Sequence, residues 1–289
     1  MYKILHREVL VNNVYMYDVE APAVARKALA GQFVVLRVDE QGERIPVTIA
    51  DYDREAGTIT IVFMAIGTTT RKLALMGEGD SLPTFAGPLG NPTHVEKFGR
   101  VVCIGGGVGS ATIFPVARAM REAGNHVTTI AGWRNQSLIF WEDRLRSVSD
   151  ELIICTDDGS VGRKGVVTEP LKQMLEAGDR PDHVIAIGPA IMMKFVGLTT
   201  KAAGVPTVVS LNPIMIDGTG MCGGCRVEVG GETKFACVDG PEFDAHLVDW
   251  DLLFQRQRGY LDLEKTSLAE FDHRCGIGLK PSVAAGRPS

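Results

Sequence analysis

The sequence predicts a multidomain β plus α/β protein, with an N-terminal antiparallel β-barrel, a doubly wound parallel α/β domain and a small C-terminal module. Residues 1–98 alternate short β-forming runs with turns, and residues 99–212 alternate apolar strands with helical segments. Residues 213–265 are glycine-rich and carry three clustered cysteines. The composition of the tail, residues 266–289, predicts a disordered or partner-docked end.

The barrel is predicted from apolar runs within the first 98 residues. The runs "QFVVLRV", "RIPVTIADYD" and "TITIVFMAIG" are rich in β-branched residues, and glycines stand at the joints between them. Short strands separated by turns are typical of antiparallel sheets, and a sheet of this size closes into a small barrel.

From Arg100 onward, five β-forming runs alternate with helical segments. The runs are "RVVCI", "HVTTIAG", "ELIICT", "HVIAI" and "PTVVSL". Strands joined by helical crossovers form a parallel sheet, and ligands bind such sheets beyond the carboxyl ends of the strands. The loops that follow these strands are therefore the candidate binding segments.

Composition and charge exclude several classes of function. The 289 residues are 45% hydrophobic and 22% charged, and the net charge of −5 does not favour nucleic acid. The longest apolar run is interrupted by Gly188, Pro189 and Lys194, so we expect no membrane span. The first residues lack the apolar core of a signal peptide, which predicts a cytoplasmic protein.

Three loops on one edge of the predicted parallel sheet have the character of a dinucleotide site. The first strand is followed at once by a glycine-rich turn and a helix, where backbone N–H groups can approach a pyrophosphate. The candidate NAD-binding residues are Gly105, Gly106, Gly107, Val108 and Gly109, then Asp157, Asp158, Gly159 and Ser160, and finally Gly188 and Pro189. Alternatively, these segments are only tight strand–helix joints and turns.

The cysteines fall into two groups. Cys103 and Cys155 lie in apolar β-runs, where buried and inert thiols are expected, whereas Cys275 in the polar tail has no evident role. Cys222, Cys225 and Cys237 follow the pattern C-x2-C-x11-C. The plant-type [2Fe–2S] spacing C-x4-C-x2-C, counted back from Cys222, places Asp217 in the first ligand position.

Two other sites use similar residues. Zinc is the first alternative, because His246 could complete a tetrahedron with the three clustered cysteines. A thioredoxin-like C-x-x-C is the second, although that motif starts a helix and here it precedes the β-like run "RVEVGG".

The order of barrel and nucleotide domain resembles the ferredoxin–NADP reductase superfamily, in which the barrel holds FAD. The resemblance implies FAD contacts from three segments: Arg44, Pro46, Val47 and Thr48 in "RIPVT"; Gly67, Thr69 and Thr70 in "IGTTTRKL"; and Gly87, Pro88, Leu89 and Gly90 in "GPLG". It makes Thr48 the catalytic neighbour of the flavin N5, while Ile45 occupies the usual arginine position. After the second strand no cluster of arginines is present to bind a 2′-phosphate, only Arg134, and this favours NAD(H) over NADP(H).

With the cysteine module included, the chain resembles the electron-transfer subunits of flavin- and iron–sulfur-containing dihydroorotate dehydrogenase and related enzymes. Asp217 in the first ligand position resembles the branch found in electron-bifurcating NADH-dependent reduced ferredoxin:NADP oxidoreductase. That branch implies a larger partner subunit with FAD and [4Fe–4S] clusters that binds NADP(H) and ferredoxin. The alternatives are the dihydroorotate dehydrogenase subunit itself and, in another class, a zinc-containing nucleotide-sensing regulatory module.

Overall fold

Residues 1–275, which the computed structural model describes, contain two seven-stranded sheets, one two-stranded hairpin and nine α-helices. The strands are β1 Tyr2–Val11, β2 Val14–Glu20, β3 Phe33–Arg37, β4 Ile45–Asp53, β5 Thr58–Met64, β6 Ser81–Leu82, β7 Thr84–Leu89, β8 Arg100–Gly106, β9 His126–Trp133, β10 Glu151–Thr156, β11 Arg163–Lys164, β12 His183–Ile187, β13 Thr207–Ser210, β14 Arg226–Val229, β15 Glu232–Phe235 and β16 Glu242–Asp244. The helices are α1 Pro22–Ala25, α2 Thr68–Leu75, α3 Gly109–Thr112, α4 Phe114–Glu122, α5 Glu142–Ser147, α6 Thr168–Glu176, α7 Ala190–Lys201, α8 Trp250–Gln257 and α9 Leu261–Cys275.

The first sheet is antiparallel and has the strand order β6-β1-β2-β5-β4-β3-β7. Its two edge strands, β6 and β7, are consecutive in the chain and are separated only by Pro83, so the sheet curls until its edges meet. The predicted barrel is confirmed. The Tyr17 hydroxyl, inside it, donates to the carbonyls of Leu73 and Met76 at 2.7 and 2.8 Å, which fixes α2 against the barrel.

The second sheet has the order β11-β10-β9-β8-β12-β13-β16. All pairs are parallel except β13–β16, and the five predicted strands appear as β8, β9, β10, β12 and β13. Alternate residues face the two sides, with Val102 and Ile104 in one apolar core and Val101 and Cys103 in another. The predicted doubly wound sheet is confirmed.

The C-terminal residues are more closely joined to the other two parts than their sequence indicates. Strand β16 pairs with β13 on the edge of the parallel sheet, so residues beyond 212 complete that sheet. Helix α9 runs across residue 265, where the tail was expected to begin, and the Asp272 carboxylate lies 2.6 Å from Arg71 on α2. Residues 276–289 lie outside the described part of the chain.

Each helix in residues 1–275 is too short or too polar to traverse a lipid bilayer.

Polar contacts join the barrel to the rest of the chain. Asp51 on β4 lies 2.8 Å from the Arg118 guanidinium on α4. Thr93, in the linker after the barrel, is held by two hydrogen bonds. Its N–H donates to Ala30 O, and its hydroxyl donates to the Glu242 carboxylate at 2.6 Å. Glu242 is thus held at a junction of barrel, linker and β16, and burial raises its pKa to about 7.

This raised pKa predicts a pH-dependent stability. Between its ordinary value of 4.5 and about 7, the Glu242 carboxyl binds a proton in the folded chain but not in the unfolded one. The free energy of unfolding that it contributes therefore falls as the pH rises through this window. We expect Glu242→Gln to be a few degrees more stable than wild type at pH 8 and to lose much of this advantage at pH 5.

Thermal unfolding of wild type, Glu242→Gln and a control at exposed Glu55, Glu55→Gln, checks this prediction. A difference between wild type and Glu242→Gln that stays constant from pH 5 to pH 8 would contradict it.

Candidate functional site

The glycine-rich turn after β8 has the tight geometry that a dinucleotide requires. A Cβ on Gly109 would overlap the Ile187 carbonyl, so α3 can approach β12 only because this residue is glycine. Gly107 has a φ of +57°, and no atom of the described chain lies within 4 Å of its missing Cβ. The turn therefore packs on one side and is open on the other.

The other two predicted nucleotide segments lie beside this turn. Gly188 packs against Gly106, with an added Cβ only 3.2 Å from the Gly106 Cα. The Asp158 N–H donates to Arg134 O at 3.2 Å, and the Gln136 N–H donates to the Ser160 hydroxyl at 2.7 Å.

The loop of residues 157–160 is also an ordered turn in its own right. The Ser160 side chain and its N–H, which donates to the Asp158 carboxylate at 2.9 Å, lower the pKa of Asp158, and Gly159 has a φ of +77°. Residues 157–160 and Arg134 are exposed. The structure thus places all three segments at the carboxyl edge of one sheet, where a ligand can reach them.

The predicted flavin segments meet on neighbouring barrel strands. Phe33 on β3 is the partner of Thr48 on β4 and of Leu89 on β7, so Thr48 and the "GPLG" segment lie on either side of it. Pro46 and Val47 precede Thr48 on β4, beside the end of β5 that leads into α2. Arg44 lies just before β4 and is exposed.

The start of α2 suits an anionic diphosphate. The Ile66 and Gly67 N–H groups both donate to the Thr70 hydroxyl at 3.1 Å, and the first turn contains no acidic residue. The N–H groups of a first helical turn and the helix dipole favour negative charge at such a start. Arg71, one residue further on, is paired through Nη1 with Asp272, and its buried Nε has no acceptor in residues 1–275. These observations fit the phosphate part of FAD.

The cysteine loop brings its four predicted ligands together as two pairs. The Asp217 carboxylate accepts the Cys222 N–H at 2.9 Å. Cys225 and Cys237 are both buried, and the Cys237 N–H donates to Cys225 Sγ. Four ligands held in two pairs fit a cluster with two irons.

Backbone N–H groups are directed at the sulfur atoms of the loop. Gly224 N lies 3.4 Å from Cys222 Sγ, and Cys237 N lies 3.4 Å from Cys225 Sγ. Such contacts stabilise thiolates bound to iron. Without metal, burial and the neighbouring Cys225 raise the pKa of Cys237 to about 12. The donors therefore fit an iron–sulfur cluster.

His246, the fourth ligand of the zinc alternative, is hydrogen-bonded to other residues. The His246 ring Nε2 lies 3.0 Å from the Thr200 hydroxyl on α7, and the backbone N–H of His246 donates to the Asp244 carboxylate at 2.8 Å. Within residues 1–275, no three His, Cys, Asp or Glu side chains converge on one point as a single ion requires. The thioredoxin-like alternative fails as well, since strand β14 follows Cys225 directly.

Cys103 and Cys155 are buried as predicted. Burial raises the pKa of Cys103 to about 12 and that of Cys155 to about 11, so both are held as neutral thiols.

The barrel lies between the nucleotide turn and the cysteine loop. On one side, α3 contacts β4, and Ala111 shares an apolar core with Ala50. On the other side, an added Cβ on Gly218 would lie 2.7 Å from Leu89 and 3.0 Å from Val35. The barrel is therefore in contact with both neighbours, and Leu89 of the predicted flavin segments lies against the cysteine loop.

Sequence reasoning missed three long-range contacts near these sites. They are the Glu242–Thr93 hydrogen bond, the approach of α9 to the start of α2 through Ser267 and Thr68 at 3.0 Å, and the contact of Arg256 with the cysteine loop. Each joins residues far apart in the chain, and at least one partner in each contact belongs to no motif, so no sequence signal could have indicated them.

Comparisons with known proteins agree with this arrangement. Residues 212–249 match the iron–sulfur cluster binding domain of dihydroorotate dehydrogenase B. The chain is 47% identical over 269 residues to a dihydroorotate dehydrogenase B (NAD(+)) electron transfer subunit homolog from Thermotoga maritima, covering 93% of this chain and 95% of the relative. It is 31% identical over 257 residues to the corresponding electron transfer subunit of Desulforamulus reducens, covering 86% and 97%.

A solved structure extends the similarity to three dimensions. A chain from the NADH-dependent reduced ferredoxin-NADP oxidoreductase structure, described in terms of flavin-based electron bifurcation, is 46% identical. It superposes with a TM-score of 0.89 over 94% of this chain and 98% of that one. By these identities and coverages, the chain belongs to the family of dihydroorotate dehydrogenase B electron transfer subunits.

Proposed function

We propose that this chain is the electron-transfer subunit of a flavin and iron–sulfur oxidoreductase that exchanges hydride with NAD(H), as in electron-bifurcating NADH-dependent reduced ferredoxin:NADP oxidoreductase. When bound, FAD converts two-electron hydride chemistry into single electrons, which a [2Fe–2S] cluster carries one at a time. The free cysteines of the described chain support a reducing compartment, the cytoplasm.

One observation carries the proposal: the barrel contacts the nucleotide turn through α3 and the cysteine loop through Leu89. A donor site, a flavin site and a one-electron site thus lie in a row within one folded unit. This order is what a chain needs to pass electrons from a dinucleotide to another subunit.

The nucleotide residues act by position and not by acid–base chemistry. Gly105, Gly106, Gly107, Val108 and Gly109 would hold the pyrophosphate of NAD(H); Arg134, Asp157, Asp158, Gly159 and Ser160 would surround its adenosine side; and Gly188 and Pro189 would border the nicotinamide. Thr48 lies on β4, the barrel strand that contacts α3. It would orient the flavin N5 for hydride exchange.

The remaining flavin residues would bind and enclose the cofactor. Arg44, Pro46 and Val47 would line the same strand; Gly67, Thr69 and Thr70 would receive the diphosphate at the start of α2; and Gly87, Pro88, Leu89 and Gly90 would border the flavin ring.

Asp217, Cys222, Cys225 and Cys237 would hold the cluster. Cys222 is exposed and Met221 beside it is 88% exposed, whereas Cys225 and Cys237 face the interior. One side of the loop therefore faces the flavin segments and the other faces solvent. A larger subunit that contains FAD and [4Fe–4S] clusters and binds NADP(H) and ferredoxin would dock on the exposed side.

A second candidate is the electron-transfer subunit of NAD-linked dihydroorotate dehydrogenase, favoured by the names of the relatives at 47% and 31% identity. The two candidates differ in the larger subunit that co-purifies.

Anaerobic purification tests the proposal. We expect a coloured protein with one FAD, two irons and two labile sulfides per chain, together with a larger flavin- and iron-containing subunit. A colourless protein that contains zinc and no flavin would show that the chain is a regulatory module instead.

The geometry of Gly107 predicts a selective loss of nucleotide binding. Gly107→Ala places a methyl group in the open crevice at a φ of +57°, so we expect NADH to bind about tenfold or more weakly. FAD content should be unchanged. The matched control is Gly178→Ala, which has a similar φ of +77° and open surroundings after α6.

Stopped-flow reduction of the bound flavin measures the effect on NADH. Equal losses in the two variants would mean that backbone strain alone is responsible. Loss of FAD in Gly107→Ala with unchanged NADH affinity would reverse the assignment of the two sites.

The exposed position of Arg134 predicts a preference for NADH. Without a built 2′-phosphate pocket after β9, NADPH gains no contact there, and we expect NADH to reduce the flavin about tenfold faster or more. Comparable rates for the two dinucleotides would instead assign a 2′-phosphate site to Arg134 and the neighbouring Lys164.

The carboxylate in the first ligand position predicts a spectroscopic effect. Asp217→Cys should retain a [2Fe–2S] cluster with an altered paramagnetic resonance spectrum, because thiolate donates more charge to iron than carboxylate does. Asp217→Ala should yield a labile cluster while NADH still reduces the flavin. The control is Asp239→Ala, which removes another carboxylate that accepts a backbone N–H in this module, at 2.6 Å.

Iron content and spectra distinguish the two roles open to Asp217. If Asp217→Cys has the wild-type spectrum and Asp217→Ala behaves like Asp239→Ala, the carboxylate only orders the loop through the N–H groups of Thr219 and Cys222.

A further inference from the structure

Helix α8 supports the cysteine loop from behind. The Asp249 side chain accepts the Leu252 N–H at 2.9 Å and caps the helix, while buried Trp250 and Leu253 anchor it. In its last turn, Gln257 donates to Asn212 O at 3.0 Å, at the start of the segment that leads to the loop. The helix is thus fixed at both ends relative to the loop.

Arg256, beside Gln257, reaches the loop itself. Its Nη2 donates to Gly224 O at 3.0 Å, in the peptide group between Gly224 and Cys225. Its Nε is buried and has no acceptor in the described chain. A cavity of about 60 Å³ lies beside it and is lined by Pro213, Ile214, Ile216, Gly224, Arg256, Gln257 and Tyr260.

The charge of Arg256 is not compensated nearby. The guanidinium remains protonated at every physiological pH. Among residues 1–275 its hydrogen-bond partner is the neutral Gly224 carbonyl, and no carboxylate forms an ion pair with it. The other cation beside the loop, Arg226 near Gly223, is exposed, so water screens its charge more effectively.

A partly buried cation next to a redox centre favours the reduced form. A [2Fe–2S] cluster gains one negative charge when it accepts one electron, and it loses that charge when the electron passes to the partner. Attraction to a fixed positive charge in a medium of lower dielectric stabilises the reduced state. Polarisation of the Gly224–Cys225 peptide acts in the same direction.

We propose that Arg256 is a positioning residue that raises the reduction potential of the cluster through its charge and its contact with Gly224. The inference rests on the proposed function, because it requires the cluster to be held by Asp217, Cys222, Cys225 and Cys237. Arg256 then makes electron transfer from the flavin to the cluster more favourable. It touches neither cofactor-binding segment of the barrel or of the parallel sheet.

The test is a redox titration of the purified full chain, followed by the paramagnetic resonance signal of the cluster. We expect Arg256→Gln to lower the midpoint potential by about 59 mV, a tenfold change in the one-electron equilibrium, with the flavin potential and FAD content unchanged. Arg256→Lys keeps the charge and should restore most of the potential. Arg258→Gln removes an exposed charge two residues away and should leave the potential at its wild-type value.

The outcomes separate charge from structure. A cluster potential in Arg256→Gln equal to that in Arg258→Gln, with full iron content, overturns the proposal. If Arg256→Gln fails to retain iron, the Arg256→Lys variant decides between the two explanations. A cluster potential in Arg256→Lys equal to that of wild type supports the charge effect. Loss of iron or a lowered cluster potential in Arg256→Lys contradicts it. A wild-type chain without a [2Fe–2S] signal would contradict the proposed function itself.

Discussion

One apolar core joins the three parts of this protein, and the candidate site depends on it. Phe33 and Val35 of the barrel, Ile104 of the parallel sheet, and Cys225 and Cys237 of the loop are all buried in the same cluster of side chains. Because protein interiors are close-packed, none of these parts can shift without disturbing the others. The spacing of the proposed cofactor sites is therefore set by packing, and the surface ion pair of Asp51 adds little to it.

The polar contacts add specificity to this core. Thr93 and Glu242 fix the linker against β16, and Arg256 fixes Gly224 against α8. A buried carboxyl and a partly buried guanidinium are costly unless they are bonded, so each favours one arrangement of the surrounding elements. Both lie next to the proposed electron path without belonging to it.

Sequence patterns predicted those features of the fold and site that depend on residues close together in the chain. The β-runs, the turn of Gly105 to Gly109 and the cysteine spacing follow from side-chain periodicity, φ preferences and ligand geometry, and these appear in the sequence directly. The pairing of β16 with β13 cannot be read from the sequence, because β16 (Glu242–Asp244) is only three residues long and its partner strand lies far back in the chain. The helix at the start of the predicted tail was also missed, since its Asp272 is paired with Arg71, about two hundred residues away in the chain.

The pairing of β16 also bears on how such proteins can be recombined. A chimaera that exchanges the iron–sulfur module at residue 212 would remove the strand that covers β13 and leave an open sheet edge, which invites aggregation. A junction placed after Asp244 keeps the edge covered but divides the module from α8. In this chain the cofactor module and the nucleotide sheet are therefore one folding unit, and neither boundary separates them without loss of contacts.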